Sequence, residues 1–211
     1  VAGAGRWRRP LPTGHWRVGP GVSFAVLLGR LSLLWLWLRV NGFTAALRFC
    51  SLIGCAMVYT MWLKRATPQN IVIGGAAGAA PPVLGWAAVT NSVDPHALLL
   101  FLIIFTWTPP HFWALAIARR DDYAKAGIPM LPVTHGIPYT RLQIVLYTIL
   151  LVLSTLLPYL CGMSGFIYLA AAVILNTRFL YYVVALQRRL RPELPMRPFR
   201  FSIPSLMLLF G

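Results

Sequence analysis

Two neighbouring carboxylates, Asp121 and Asp122, are conspicuous because the whole chain contains only four acidic residues. They follow a long apolar run and are flanked by Arg119, Arg120 and Lys125. Magnesium prefers hard oxygen ligands and usually binds through one or two carboxylates together with substrate phosphates. Arg and Lys neutralise the phosphate charge that remains. The segment is therefore a candidate site for a magnesium-bridged diphosphate, and the alternative is a solvated helix end with local ion pairs.

A second polar cluster lies earlier in the chain, where Lys64 and Arg65 precede the amides of Gln69 and Asn70. We expect Asn70 to cap the helix that begins with the following apolar run. A helix N-terminus offers unpaired N–H groups to an anion, so this segment is a candidate to hold phosphate opposite the Asp pair. The alternative is that Lys64 and Arg65 only reflect the accumulation of basic residues in cytoplasmic loops.

A histidine, His111, stands inside an apolar run between Trp107 and Trp113 and directly follows two prolines. An ionisable residue within a membrane span is a functional hypothesis by default. If the helix continued to Asp122, His111, Arg119 and Asp122 would share one stripe, apolar at depth and charged at its mouth. An amphiphile with a hydrocarbon tail and a diphosphate head would require such a wall. The alternative is a histidine that is merely hydrogen-bonded to a neighbouring helix.

The elements that must position these groups are membrane spans. The sequence is 58% hydrophobic and 11% charged, with a mean hydropathy of +0.70, and a span needs roughly 20 apolar residues. Suitable runs lie at 22–39, 43–63, 71–90, 96–118, 142–161 and 164–186, and a seventh begins near Phe201. We predict an all-α, polytopic transmembrane helix bundle. Small residues at 74–78 are expected to allow close helix packing.

The net charge of +15 follows the predicted membrane topology rather than a nucleic-acid surface. Fifteen of the 19 basic residues fall before the first run or in alternate connections, whereas the connections at 40–42, 90–95 and 162–163 contain none. Because Lys and Arg collect in cytoplasmic loops, this distribution predicts the orientation of the bundle. No nucleic-acid partner is expected.

Other reactive or charged residues also fall within the runs. Cys50, Cys55 and Cys161 have the number and spacing of neither a disulfide framework nor a zinc site, so we expect small buried hydrophobic side chains. Arg30 and Arg178 lie deep in their runs without an acidic partner. They snorkel to the membrane surface, lie in a kinked span, or meet a carboxylate-bearing ligand.

Three blocks of the sequence, residues 59–78, 107–115 and 121–133, closely resemble the protohaem IX farnesyltransferases (haem O synthases). These belong to the intramembrane, UbiA-type prenyltransferase superfamily. The blocks have the order and spacing of the family, and a looser likeness extends from about Arg9 to Phe210. The resemblance implies one intramembrane prenyltransferase domain over residues 1–211, part of a bundle of about nine spans that encloses a cavity.

The resemblance also implies a reaction. The farnesyl group of farnesyl diphosphate is joined to a vinyl group of haem B, giving haem O and diphosphate for haem–copper oxidases. Mg²⁺ is the implied cofactor, and haem B is a substrate. The candidate protein partners are haem A synthase and oxidase assembly proteins, and the expected location is a bacterial inner membrane with the active-site loops on the cytoplasmic side.

The family carries roles over to matching positions of this sequence. The implied catalytic residues are Asp121, Asp122, Lys64 and Arg65, with Mg²⁺ bound by Asp121 and Asp122 through the diphosphate. The implied diphosphate-binding residues are Lys64, Arg65, Gln69, Asn70, Arg119, Arg120, Tyr123 and Lys125. The implied residues of the haem and prenyl cavity are His111, Trp107 and Trp113.

The sequence departs from the family before Arg9, where a first Asp-rich loop is expected and residues 1–8 contain no acid. We therefore expect two further spans and half of the metal site to be absent, and the 211 residues alone not to be catalytic. Two alternatives remain. One is a membrane prenyltransferase that acts on a quinone or chlorophyll precursor. The other is a small transporter, which would show inverted repeats.

Overall fold

Nine helices form the part of the chain that the structure, a computed structural model, describes: residues 18–56, 67–188 and 195–210. In chain order they are α1 (Val18–Arg39), α2 (Gly42–Ile53), α3 (Asn70–Thr90), α4 (Pro95–Ala118), α5 (Arg120–Lys125), α6 (Leu131–Thr134), α7 (Gly136–Leu160), α8 (Phe166–Arg188) and α9 (Met196–Phe210).

Five of these helices, α1, α3, α4, α7 and α8, are long and apolar enough to cross a membrane. They confirm five of the six complete spans predicted from sequence and make the chain a multi-pass membrane protein. At the second predicted span, α2 and the three residues after it form an apolar helix over Gly42–Ala56. Residues 57–63 of that span lie outside the described part. Helix α9 begins at Met196, earlier than the predicted start near Phe201. Pro198 is tolerated in its first turn because the N–H that proline lacks has no helical partner there.

Helix α4 occupies the centre of the bundle and contacts α3, α7 and α9 as well as the short helices α5 and α6. The hydrophobic core lies along these contacts and includes Ile71, Ile103, Trp113, Ile117, Leu131, Ile144, Leu151, Phe179, Val183 and Leu186. Among the described helices, α1 packs only against α2. The core thus surrounds the segment that carries His111.

The close contact predicted for residues 74–78 is confirmed at Gly75, where α3 meets α4. A Cβ atom on Gly75 would lie 3.2 Å from Thr108 Cβ, whereas one on Gly78 would meet nothing within 4 Å. Thr108 Oγ1 donates a 2.7 Å hydrogen bond to Ile104 O, which fixes its rotamer. The absence of a side chain at Gly75 therefore sets the separation of the two helices.

Polar caps close the turns on the predicted outer side. Asn41 Oδ1 accepts a 2.7 Å bond from Thr44 N at the start of α2, and Asn41 Nδ2 donates to Ala87 O at the end of α3. Asp94 caps α4 by accepting a 2.9 Å bond from His96 N. These caps satisfy backbone groups that a helix end leaves unpaired.

The expectation that the cysteines are buried is wrong, because Cys50, Cys55 and Cys161 are all exposed. Cys50 and Cys55 lie on the apolar helix of Gly42–Ala56, and Cys161 follows the end of α7. Cysteine is apolar enough to face lipid as readily as a protein interior.

Candidate active site

Asp121 and Asp122 lie in the first turn of α5, and both are exposed. Within the described ranges, neither carboxylate forms an ion pair with a basic side chain; the one ion pair found there joins His96 and Asp94. The local ion pairs considered as an alternative are therefore not formed in that part of the chain. No group of three or more metal-ligating side chains occurs among the same residues. A metal at this pair would need ligands from a substrate as well.

The single stripe proposed for His111, Arg119 and Asp122 is not formed, because the helix does not continue. Helix α4 ends at Ala118, and Arg119 leaves the helical conformation with φ −117° and ψ 30°. The N–H of Arg119 still bonds to Leu115 O at 3.0 Å. Helix α5 begins at Arg120, so His111 and the Asp pair lie on two separate helices.

The basic residues beside the Asp pair differ in their surroundings. Arg120 Nε donates a 3.1 Å bond to Pro132 O, which ties α5 to α6. Arg119 and Lys125 are exposed, and Tyr123 is half-buried. Backbone hydrogen bonds also hold the loop between α5 and α6, among them Ile128 N to Tyr123 O at 3.1 Å. Arg120 thus has a structural contact in addition to any ligand it binds.

The second polar cluster is partly described. Lys64 and Arg65 lie outside the described residues. Gln69 is exposed and occupies the capping position of α3 without a side-chain capping bond. The expectation that Asn70 caps the helix is wrong, because Asn70 is the first residue inside α3 and is buried. Thr67 supports this turn instead, since Thr67 Oγ1 accepts a 3.2 Å bond from Gln69 N.

His111 is enclosed by aromatic rings and one hydroxyl group where α4 meets α9. Its ring stacks on Trp107 at 4.3 Å and on Phe199 at 4.5 Å between centroids, while Phe112 meets its edge at 4.9 Å. His111 Nδ1 lies 2.6 Å from Ser202 Oγ. Stacking on both faces leaves the imidazole little freedom to rotate.

The structure brings Trp107 and His111 together but places Trp113 elsewhere. Trp107 and His111 are four residues apart and so share a face of α4. Trp113 is 1% exposed, belongs to the hydrophobic core and meets the ring of Tyr147 edge-on at 5.3 Å. The two tryptophans therefore face different neighbours, and Trp107 alone of the pair stacks on the histidine.

Sequence reasoning did not identify Ser202 and Phe199 as part of the site. Their spacing of three residues places an aromatic ring and a hydroxyl on one helix face, which is only a weak sequence signal for a functional site.

Arg178 contacts aromatic rings: its guanidinium carbon lies 5.0 Å from the Phe201 ring centroid. Arg178 Nε also donates a 3.2 Å bond to Tyr182 OH. This arginine packs on aromatic rings of α8 and α9.

A solved structure has a similar fold. It comes from work on structural and mechanistic insights into the biosynthesis of digeranylgeranylglyceryl phosphate synthase in membranes. The TM-score is 0.80 at 20% sequence identity, and the match covers 95% of this chain and 70% of that chain. At this identity the likeness supports the fold alone.

Sequence comparison identifies the family of the chain. Residues 5–206 match the profile of the UbiA prenyltransferase family. The chain is 62% identical over 203 residues to the protohaem IX farnesyltransferase of Methylococcus capsulatus, with 96% of this chain and 68% of that protein covered. It is also 62% identical over 204 residues to that of Alkalilimnicola ehrlichii, with 97% and 68% covered. The chain therefore belongs to the UbiA prenyltransferase family and, within it, to the protohaem IX farnesyltransferases.

Proposed function

We propose that this chain belongs to an enzyme that joins the farnesyl group of farnesyl diphosphate to a vinyl group of haem B, giving haem O and diphosphate. The bond between farnesyl C1 and the diphosphate oxygen breaks, and the vinyl group supplies the electron pair for the new carbon–carbon bond. Water supplies the hydroxyl group of the product and releases a proton. The observation that carries this proposal is 62% identity over 96% of the chain to a relative named for this substrate and this group.

The diphosphate end of the site is proposed at the Asp pair. Asp121 and Asp122 are exposed and have no ion-pair partner within the described part of the chain, so their oxygens suit Mg²⁺ that also binds phosphate. When bound, the ion supplies positive charge that stabilises the departing diphosphate. The proposed diphosphate-binding side chains are Lys64, Arg65, Gln69, Asn70, Arg119, Arg120, Tyr123 and Lys125, with Lys64 and Arg65 contributing most directly to catalysis.

The haem end is proposed at His111. The ring lies seven residues from Ala118, or about 10 Å along α4 at the usual helical rise. Trp107 is proposed to line the haem and prenyl cavity, where it supports the imidazole through its 4.3 Å stack. Trp113, expected there from the sequence, lies in the hydrophobic core instead. His111 binds or orients the haem iron.

The proposed location is a bacterial inner membrane with the Asp pair on the cytoplasmic side. The relatives from Methylococcus capsulatus and Alkalilimnicola ehrlichii are bacterial, and basic residues concentrate on the side of Asp121 and Asp122. Cytoplasmic Lys and Arg are the expected pattern. Haem A synthase and oxidase assembly proteins are the proposed protein partners, since the product is a precursor for oxidase haem.

Product analysis tests the reaction. The complete reading frame is expressed in membranes and supplied with haem B, farnesyl diphosphate and Mg²⁺, and extracted haems are separated by chromatography and weighed by mass spectrometry. We expect a haem that has gained one farnesyl and one hydroxyl group, formed only when both substrates are present. Folded protein that forms no such haem but prenylates a quinone precursor would reject the proposal.

A further inference from the structure

Ser202 makes two short contacts that together assign the proton of His111. Ser202 Oγ lies 2.8 Å from Phe199 O and 2.6 Å from His111 Nδ1. A carbonyl oxygen only accepts hydrogen bonds, so the single hydroxyl proton of Ser202 points to Phe199 O. Ser202 Oγ must then accept from His111, which requires a proton on Nδ1. If Ser202 donated its proton to His111 Nδ1 instead, Ser202 Oγ and Phe199 O would lie 2.8 Å apart with no proton between them.

We propose that Ser202 is a positioning residue: it holds His111 in the Nδ1–H tautomer, so that the lone pair of Nε2 is available to the iron of the haem substrate. This inference rests on the proposed function and assigns how its haem-binding side chain is prepared. Metal-ligating histidines typically donate their other ring N–H to an acceptor that fixes tautomer and orientation. Within the described residues, Nε2 of His111 makes no hydrogen bond that would occupy its lone pair.

The surroundings of Ser202 hold this acceptor in place. Trp107 Nε1 donates a 3.0 Å bond to Ser202 O, and Ser205 Oγ donates a 2.9 Å bond to the same oxygen. Ser202 is 0% exposed and His111 is 6% exposed. Because bulk water has almost no access, a lost Ser202 hydroxyl would not be readily replaced.

The serine three residues further along α9 provides a matched control. Ser205 is also buried and its hydroxyl donates to a backbone carbonyl, but within the described contacts it does not bond to His111. Ser205→Ala removes one of the two bonds to Ser202 O, but the bond from Trp107 Nε1 remains and the Ser202 hydroxyl that accepts from Nδ1 is unchanged. Ser202→Thr retains that acceptor, and Ser202→Cys offers a weaker one.

The first readout is the tautomer itself, measured without haem. The complete reading frame, labelled with ¹⁵N-histidine and held in lipid nanodiscs, gives separate nitrogen shifts for protonated and unprotonated ring positions. The His111 signals are assigned by their loss in His111→Gln. We expect Nδ1–H in the wild type, in Ser205→Ala and in Ser202→Thr, and a mixture of tautomers in Ser202→Ala. A wild type with its proton on Nε2 would overturn the inference.

The second readout is haem B binding, followed by the absorbance of the histidine-ligated iron. Loss of such an outer hydrogen bond usually weakens metal affinity by about 10- to 100-fold. We expect that loss in Ser202→Ala, a smaller one in Ser202→Cys, and affinities near wild type in Ser205→Ala and Ser202→Thr. If the haem iron is ligated as in the wild type when His111 is replaced by Gln, the inference is overturned. The proposed reaction would still stand in that case, provided that the wild type forms haem O. A wild type that neither binds haem B nor forms haem O would reject both proposals.

Discussion

The carboxylates among the described residues fall into two kinds of environment. Asp94 accepts hydrogen bonds from His96 N at 2.9 Å and from the His96 ring at 2.7 Å. The backbone bond, followed by the side-chain bond, holds the pKa of Asp94 below its usual range. Asp121 and Asp122 have no ion-pair partner in the described ranges. The Asp94 carboxylate is engaged by His96, whereas the carboxylates of Asp121 and Asp122 remain available to a metal ion that also binds diphosphate.

This contrast predicts the effect of neutralising each acid. Asp121→Asn and Asp122→Asn are each expected to lower kcat/KM for farnesyl diphosphate at least about 100-fold, the usual effect of losing one electrostatic stabiliser of a transition state. Each variant should also require more Mg²⁺ for half-maximal rate. Asp94→Asn is the matched control, because an amide oxygen can still cap α4.

Initial rates measured over a Mg²⁺ titration check this expectation. If Asp94→Asn loses as much activity as the pair, the losses reflect the stability of the bundle. Normal rates and normal Mg²⁺ dependence in Asp121→Asn and Asp122→Asn would exclude these residues from the metal site.

At the scale of single residues, sequence could identify a candidate but not its partner. His111 was identifiable because an ionisable ring within an apolar run is costly unless it has a role. Ser202 is 91 positions away, and only the packing of α9 against α4 brings the two together. Asn70 has the residue type of a cap, yet the turn formed by Thr67 shifts the helix start so that Asn70 is buried inside α3.

The break between α4 and α5 is the element that local sequence could not predict. The apolar run ends at residue 118, but no glycine or proline stands at residues 118–121 to stop the helix there. The 3.1 Å bond from Arg120 Nε to Pro132 O is a tertiary contact that accompanies the turn. The prolines that do lie within α4, Pro109 and Pro110, interrupt its backbone bonding without ending the helix. Packing on three neighbouring helices stabilises them there.

The contact of α3 with α4 predicts opposite outcomes for two glycines of one helix. Gly75→Ala places a methyl 3.2 Å from Thr108 Cβ and Cγ2, and the bonded Thr108 side chain cannot rotate away without losing its partner. Overpacking of this kind costs about 1–3 kcal/mol. Gly78→Ala meets open space and is expected to stabilise the helix by up to about 1 kcal/mol.

Thermal unfolding in detergent, followed by circular dichroism, measures both variants. We also expect Gly75→Ala to reduce haem O formation, because Thr108 lies three residues before His111. A Gly75→Ala protein as stable as Gly78→Ala would contradict the close approach of the two helices.

Helices α7 and α8 are joined by a buried polar contact whose strength can be measured. Asn176 Nδ2 donates a 2.7 Å bond to Thr155 Oγ1, and the Thr155 hydroxyl in turn donates to Val152 O at 2.8 Å. Double-mutant cycles in membrane proteins give about 0.6 kcal/mol for such pairs, with a maximum near 1.7. We expect a coupling in this range between Thr155→Val and Asn176→Ala.

Thr177→Val is the control for this cycle, because Thr177 is exposed and bonds only within its own helix, to Val173 O. It should show no coupling to Asn176→Ala beyond experimental error. Additive effects of Thr155→Val and Asn176→Ala would mean that the pair does not hold the two helices together.

At the scale of the whole molecule, composition predicted the membrane spans, and the motif blocks predicted the family. The five long apolar helices coincide with five predicted runs because the bilayer sets a minimum length for a span. The arrangement of those helices around α4 was not predictable, since apolar runs of similar composition give no sign of which neighbour each will contact. The orientation of the bundle follows from the uneven distribution of basic residues alone, so it requires a separate test.

The exposed cysteines provide that test. Cys161 follows α7 at a connection predicted to lie outside, whereas Ala124 is exposed in α5 beside the Asp pair, on the predicted inside. In a variant whose only cysteine is Cys161, a membrane-impermeant maleimide should label intact spheroplasts. In the matched variant whose only cysteine comes from Ala124→Cys, labelling should require permeabilised membranes. The opposite pattern would place Asp121 and Asp122 outside the cell, away from cytoplasmic farnesyl diphosphate, and would contradict both the topology and the proposed site of diphosphate binding.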